Sequence, residues 1–227
     1  FRYFQDRVGS EVRRATRWAL GPGPGERASA PASVPVRPTG TAALAPPIRR
    51  TPSGAAGVPY EGADFRFDPP VLVPASVPTL AVIGTGKRVG KTAVTGHVAR
   101  LLARRREVVV LAMGRGGPAR PEVVRIAPTI DDLLALSRSG RHAASGHLET
   151  AVVAGVETVG CRRCGGGLAG AVGTSNVPEG LVVAEALGPD LLLLDGSGAA
   201  VPPVAADRRI LVVGAHQGAA LAGGYLN

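Results

Sequence analysis

Short apolar runs alternate with helical patterns of apolar residues from about residue 79 onward. Four of these runs are predicted to be buried strands: Thr79–Ile83, Val108–Ala112, Leu191–Leu194 and Ile210–Val213. Strands that alternate with helices favour a mostly parallel sheet covered by helices on both faces. The predicted fold class is therefore α/β, with a sheet that we expect to be incomplete at the C-terminus.

Four helices are predicted between these strands. The first spans Lys91–Arg105 and carries its apolar residues at helical spacing. A second begins after Thr129, whose side chain suits an N-cap, and runs to about Ser137. The third runs from about Ser145 to Ala154, and the fourth begins at Asn176 and Pro178 and ends at Gly188.

Residues 1–57 differ from the remainder of the chain. They are rich in Ala, Pro, Gly and Arg, and they offer too little apolar surface to form a core. We expect a disordered tail or linker here, or sequence outside the native reading frame. The chain begins with Phe1 instead of Met, so we interpret it as a fragment whose folded domain begins near residue 58.

The basic charge of the chain fits a small anionic substrate. The net charge of +9 would also suit nucleic acid or an anionic membrane. No Phe, Tyr or Trp occurs between Asp68 and Gly224, so bases have no stacking platform there. No apolar run reaches the roughly 18–20 residues of a membrane span. Two cysteines are too few for a disulfide scaffold, and we expect a cytoplasmic protein that binds neither nucleic acid nor membrane.

The segment that follows the first predicted strand has the sequence of a phosphate-binding P-loop. Glycines let backbone N–H groups surround a phosphate, and the following helix directs its positive end towards the same charge. Lys91 is predicted to reach the β- and γ-phosphates and Thr92 to bind Mg²⁺. The predicted nucleotide-binding residues are Gly84, Thr85, Gly86, Lys87, Arg88, Val89, Gly90, Lys91, Thr92 and Ala93. Residues 58–227 are thus predicted to form a truncated P-loop nucleotide-binding domain.

One position departs from the usual P-loop pattern. Thr85 occupies the position, five residues before Gly90, that is normally glycine. The flanking Gly84 and Gly86, together with the extra Lys87, are typical of the variant loop that carries a second lysine. Lys87 and Lys91 are therefore both candidate catalytic residues.

Asp195 follows the strand Leu191–Leu194 directly. In P-loop enzymes a carboxylate at this place helps to hold Mg²⁺, so Asp195 is a candidate catalytic and metal-binding residue beside Thr92. The alternative is an ordinary Asp-Gly turn. Ser197, among the small residues that follow, is a candidate phosphate contact.

Cationic residues follow other predicted elements. Arg115 lies in a glycine-rich segment just after the second strand, where parallel sheets bind ligands, although a solvated loop arginine remains the alternative. Arg162 and Arg163 lie beside three glycines and are predicted to form a cradle for a polyanionic substrate. His147, near a helix start, is a further candidate for substrate binding.

Cys161 and Cys164 form a single C-x-x-C pair. The pair supplies only two of the four ligands of a structural zinc site. A metal shared between subunits and a redox pair remain open alternatives.

Four segments resemble the cyclic 2,3-diphosphoglycerate synthetase family, some members of which are described only as predicted GTPases. The segments are Ile83–Val94, Met113–Pro118, Val159–Gly167 and Gly196–Pro203. Family members are longer, and glutamate is frequent at the position of Asp195.

The resemblance implies an ATP-dependent ligase that uses Mg²⁺. Its substrate would be 2,3-bisphosphoglycerate, whose two phosphates would be joined in an intramolecular anhydride with release of ADP and phosphate. Lys87, Lys91, Arg115, Arg162 and Arg163 would neutralise the converging charges. Proteins with the two-lysine variant of the P-loop often work as dimers, so we expect a homodimer when the protein is full length. A regulatory or chaperone-like GTPase and a nucleotide-binding fragment without catalytic activity remain alternatives, and the Asn/Thr-Lys-x-Asp element of base-recognising GTPases does not occur in this chain.

Overall fold

The computed structural model describes residues 59–64, 66–143, 145–166 and 170–218. These residues all belong to the larger of two compact units in the chain, Pro46–Asn227. The segment 1–57, predicted to be a tail or linker, lies outside the described residues.

One seven-stranded sheet organises the described residues. Its strands are β3 (Thr79–Gly84), β4 (Val108–Gly114), β5 (Glu122–Val124), β6 (Thr158–Cys164), β7 (Thr174–Ser175), β8 (Leu191–Asp195) and β9 (Arg208–Val212). A separate two-stranded hairpin pairs β1 (Tyr60–Glu61) with β2 (Arg66–Phe67). The mostly parallel α/β sheet expected from the sequence is confirmed.

The order of strands across the sheet is β5-β6-β4-β8-β3-β9, and β7 pairs with β6. Strands β6, β4, β8, β3 and β9 run parallel, whereas β5 and β7 are antiparallel to β6. Strand β8 lies between β3 and β4 in the sheet, so the connection from β3 to β4 crosses over the position of β8. The carboxyl ends of β3 and β8 are therefore neighbours, which is where open α/β sheets form ligand crevices.

Helices cover both faces of this sheet. They are α1 (Lys91–Leu102), α2 (Ile130–Arg138), α3 (Gly146–Ala154) and α4 (Val177–Glu185). Ala99 of α1 and Ala154 of α3 pack against one face with Val82, whereas Leu181 of α4 packs against the other face with Ala81. The alternation of Ala81 and Val82 between the two cores is the two-residue period of a strand.

The predicted helices and the four predicted strands are confirmed, with ends shifted by up to about three residues. Helix α2 begins after the predicted N-cap Thr129, whose side chain accepts a hydrogen bond from the Asp132 backbone N–H. None of its residues is fully buried, and its capping box satisfies backbone N–H groups at its start. Within the described residues, no helix is both long enough and apolar enough to cross a membrane.

The sequence pattern did not predict β6. Residues 160–167 were expected to form a glycine-rich cradle, yet Thr158–Cys164 is a strand beside β4. Gly160, Arg162 and Arg163 interrupt the apolar run that normally marks a buried strand.

The strand conformation of β6 separates the two cysteines. Cys161 and Cys164 are three residues apart, so their side chains leave opposite faces of the strand. Cys161 is buried against Gly180 of α4, and burial raises the pKa of its thiol to about 12, whereas Cys164 is exposed. The two thiols of one chain therefore cannot bind one metal ion together, and the described residues contain no cluster of three or more His, Cys, Asp or Glu side chains suited to a metal.

Candidate functional site

A loop joins the end of β3 to the start of α1. Helix α1 begins at Lys91, directly after Gly90, whose φ of 99° lies in the left-handed region that glycine adopts without strain. Arg88 is the only other loop residue there with a positive φ, at 61°. This geometry leaves the N–H groups of the first turn of α1 without partners in the helix, which suits an anion.

Lys91 is folded onto this loop. Its side chain lies against Gly84, where a Cβ atom would be 2.8 Å from Lys91 Cδ, and its Nζ donates a hydrogen bond to the Gly86 carbonyl at 2.6 Å. Burial lowers the pKa of Lys91, the nearby Asp195 carboxylate raises it, and Arg163 lowers it further. The ammonium group thus lies between an anionic and a cationic part of the site.

The anionic part is built around Asp195 at the end of β8. One carboxylate oxygen accepts a hydrogen bond from Thr95 Oγ1 of α1 at 3.1 Å, and the other accepts from Thr150 Oγ1 of α3 at 3.2 Å. All three side chains are buried, and burial raises the pKa of Asp195 to about 6 despite these donors.

Close packing of α1 against α3 brings the two threonines to the same carboxylate. A Cβ atom at Gly96 would lie only 2.3 Å from Val153 Cγ1. The glycine therefore permits the short separation between the helices.

The cationic part is built around Arg163 of β6, which is only 2% exposed. Its guanidinium donates to the carbonyls of Gly165 at 2.7 Å and Ser197 at 2.9 Å. A Cβ atom at Gly198 would lie 3.4 Å from Arg163 Nη2 and 3.8 Å from Lys87 Cγ. The fold thus brings together three predicted residues, Arg163, Lys87 and Ser197, although Ser197 contributes its backbone carbonyl to the arginine.

Arg163 has no anionic protein partner among the residues that the structure describes. No described carboxylate lies within salt-bridge distance of it, and its buried Nε has no hydrogen-bond acceptor. Burial lowers the pKa of Arg163, and the neighbouring cation of Arg115 lowers it further. Arg115 itself is exposed in the turn after β4. The grouping is typical of a site that receives an anion.

Arg162 points away from Arg163, because consecutive residues of a strand face opposite ways. Its Nε donates to the Gly117 carbonyl at 2.5 Å, and its backbone N–H donates to Asn176 Oδ1 at 2.6 Å. The Asn176 amide also bonds to the carbonyls of Pro118 and Ala119. Arg162 is therefore tied to the loop after β4 and is separated from the group around Arg163.

His147 lies beneath that same loop. Its ring packs on Gly160, where a Cβ atom would be 2.4 Å from the ring Cγ, and it is 6% exposed. Its Nδ1 pairs with Ser145 Oγ at 2.7 Å, and Ser145 donates to the Gly116 carbonyl at 3.0 Å. Burial lowers the pKa of His147, and its Nε2 has no partner among the described residues.

Several residues at this edge of the sheet were not identified from the sequence. Thr95, Thr150, Asn176 and Gln217 all bond to predicted site residues or to their loops. Each is an ordinary polar residue at least 14 residues along the chain from its partner, so no local pattern marks it. The sequence signal at Thr85, a threonine in a glycine position, is the one indication of an unusual contact, and Thr85 does bond to Gln217.

The donor set fits a magnesium–nucleoside triphosphate. Partly buried Thr92 lies in the first turn of α1, and Asp195 ends the adjacent strand β8. A hydroxyl and a carboxylate beside phosphate oxygens are the ligands that Mg²⁺ prefers. Because both carboxylate oxygens already accept threonine hydroxyls, a metal would use their remaining lone pairs.

Two features of this sheet define a P-loop nucleotide-binding protein. One is the phosphate loop between a central parallel strand and a helix, and the other is the acidic residue at the end of the adjacent strand. A family model described as the P-loop domain of cyclic 2,3-diphosphoglycerate synthetase matches residues 79–226. The chain belongs to this family, which confirms the resemblance inferred from its motifs. Membership implies nucleotide use.

Curated relatives named cyclic 2,3-diphosphoglycerate synthetase agree with the family model. The chain is 55% identical over 178 residues to the protein of Rubrobacter xylanophilus. This match covers 76% of the chain and 40% of the relative. It is 51% identical to the proteins of Pyrococcus abyssi, over 165 residues, and Thermococcus onnurineus, over 172 residues. Those matches cover 71% and 74% of this chain and 39% and 40% of the relatives. The chain thus spans about two fifths of the length of these relatives.

Proposed function

We propose that the protein to which this chain belongs is an ATP-dependent ligase that forms cyclic 2,3-diphosphoglycerate from 2,3-bisphosphoglycerate, with release of ADP and phosphate. The names of the relatives support this activity. The structural observation that supports it most is the buried Arg163, close to Lys87, with no carboxylate partner in the described part of the chain.

Catalysis of this reaction depends chiefly on neutralising and positioning negatively charged groups. The two substrate phosphates repel one another, and each also repels the phosphates of a nucleotide. ATP with Mg²⁺ would supply the phosphoryl group whose transfer drives the otherwise unfavourable formation of the P–O–P bond. Since phosphate oxygens are already ionised near neutral pH, a general base is not required.

The residues divide into two groups in this proposal. The loop from Gly84 to Ala93 holds the nucleotide phosphates through its backbone N–H groups and Lys91, and Thr92 with Asp195 holds Mg²⁺. Lys87, Arg115 and Arg163 receive the substrate phosphates beside Ser197. Arg162 and His147 remain candidate substrate residues, and their contacts favour support of the loop that carries Arg115.

The test is incubation of the whole protein with ATP, Mg²⁺ and 2,3-bisphosphoglycerate, followed by ³¹P NMR. We expect a new phosphoanhydride resonance that appears only when all three are present, together with ADP and phosphate. The variant Lys91→Ala is the negative control for nucleotide chemistry. Arg104→Ala is a matched control, because this exposed arginine follows α1 at its other end.

A regulatory GTPase is the alternative that this experiment separates. GTP turnover that is independent of 2,3-bisphosphoglycerate, without any cyclic product, would contradict the ligase proposal. None of the three relatives described above carries a GTPase name. A homodimeric assembly of the whole protein and a cytoplasmic location remain part of the proposal.

A further inference from the structure

Thr85 begins the phosphate loop and is attached to the segment that follows β9. Its backbone N–H donates to the Val212 carbonyl at 3.2 Å, and its hydroxyl donates to Gln217 Oε1 at 2.5 Å. Thr85 is only 7% exposed, so its hydroxyl needs a protein partner.

Gln217 is itself held in place. It belongs to the 3-10 turn Ala215–Gln217, and its backbone N–H donates to the Gly214 carbonyl at 2.8 Å. The same Oε1 that accepts the Thr85 hydroxyl also accepts the Gly214 N–H at 3.1 Å. One side-chain oxygen thus connects the phosphate loop to a hydrogen-bonded turn.

The residues next to Thr85 are those that hold the lysine. Lys91 packs its side chain against Gly84 and donates from Nζ to the Gly86 carbonyl. An attachment at Thr85 therefore restrains both backbone neighbours that surround Lys91. The usual glycine has no side chain that could make such an attachment.

We propose that Gln217 is a positioning residue that fixes the phosphate loop, and through it Lys91, by accepting the Thr85 hydroxyl. The residue acts through Thr85 and does not need to touch a ligand. The inference rests on the proposed function only in that the loop binds nucleotide phosphates.

A double-mutant cycle on the whole protein tests this pairing. Thr85→Val removes the hydroxyl at nearly constant shape, and Gln217→Met removes the acceptor at nearly constant length. We expect each to weaken ATP binding with Mg²⁺ by roughly five-fold, the worth of one hydrogen bond, and the double variant to weaken it no further. Thr85→Ser keeps the hydroxyl and should restore wild-type affinity.

Amide hydrogen exchange without nucleotide provides a second readout. Both single variants should exchange faster in residues 84–90, while β4 and β8 exchange as in the wild type. Additive effects on affinity, failure of Thr85→Ser to restore it, or unchanged exchange in the loop would each overturn the inference. If the wild type binds no ATP while both variants still exchange faster in the loop, the proposed function would be contradicted and the positioning role would remain supported.

Discussion

The site consists of two charged regions that differ in how their charges are satisfied. The anionic region around Asp195 is complete within the chain, because Thr95 and Thr150 each donate to one carboxylate oxygen. The cationic region around Arg163 has only backbone carbonyls as acceptors and no described carboxylate as a partner. The difference fits a first region that holds a charge in place and a second region that, as we propose, binds the charge of a ligand. Substitutions should therefore change folding stability chiefly in the first region and ligand binding chiefly in the second.

The largest effect is expected at Lys91, which lies between the two regions. Lys91→Ala removes the cation that we propose binds the nucleotide phosphates, and the loss of one such stabilising group should lower turnover by about 100-fold to 1,000-fold. Steady-state ATP turnover by the whole protein measures it, with Arg104→Ala as the unaffected control. Turnover within ten-fold of the wild type would remove Lys91 from the catalytic group.

A comparison of the neighbouring arginines tests the cationic region directly. Arg163→Ala should weaken binding of 2,3-bisphosphoglycerate by roughly 10-fold to 100-fold, because a buried cation with charge-assisted hydrogen bonds is lost. Arg162→Ala should have a smaller effect, since its side chain is bonded to the Gly117 carbonyl. Isothermal titration of each variant with substrate and, separately, with ATP measures the difference. Equal losses for the two arginines would contradict the division made here.

The pH dependence of stability tests the anionic region. Burial raises the pKa of Asp195 to about 6 in the folded protein from its ordinary value of 3.8. Between these values the folded state binds more protons than the unfolded state, so the free energy of unfolding falls as pH rises from about 4 to 6. Asp195→Asn lacks this titration. The free energy of unfolding of the variant minus that of the wild type should therefore be about 2–3 kcal/mol larger at pH 7 than at pH 4.

Urea unfolding of both proteins at pH 4, 5, 6 and 7 provides the measurement. A constant difference between wild type and Asp195→Asn across this window would show that the carboxyl group is not desolvated. The same variant should lose Mg²⁺-dependent turnover, so a gain in stability would accompany a loss of function.

The smallest effect is expected at Thr150. Thr150→Val removes one donor to the buried carboxylate and should lower the free energy of unfolding at pH 7 by about 1–2 kcal/mol. It should also move the upper end of the pH window above 6, because one hydrogen bond that favours the charged form is lost. Thr150→Ser keeps the donor and is the matched control. An unchanged window in the valine variant would mean that Thr95 alone holds Asp195.

The sequence predicted those parts of the fold that depend on local patterns. The continuous apolar runs of β3, β4 and β8, the glycine loop before α1 and the cap at Thr129 are all readable within a few residues. Strand β6 could not be predicted in this way, because its buried Arg163 is polar and its Gly160 is small to admit the His147 ring. The residue types at both positions are explained only by the tertiary contacts that these residues make.

In the candidate site, too, local motifs identify some residues, whereas others are identified only by the tertiary fold. Lys91, Asp195 and Arg163 could be proposed from motifs, and the structure places them at one edge of the sheet. Their supporting partners could not be proposed, since Thr95 is 100 residues and Thr150 is 45 residues from Asp195, and Gln217 is 132 residues from Thr85. Hydrogen bonds over such separations are products of the tertiary fold and leave no periodic trace in the sequence.

The mutual repulsion of Lys91, Arg163 and Arg115 has a consequence for the lifetime of the protein. Arg163 lowers the pKa of Lys91, and Arg115 lowers that of Arg163, so a bound polyanion would relieve the repulsion among these cations. A ligand that binds only the folded chain stabilises it in proportion to the logarithm of its concentration. Phosphorylated metabolites that bind here would thus raise the free energy of unfolding of this domain. Resistance of the domain to proteolysis would then rise with the concentration of any phosphorylated ligand that binds this site.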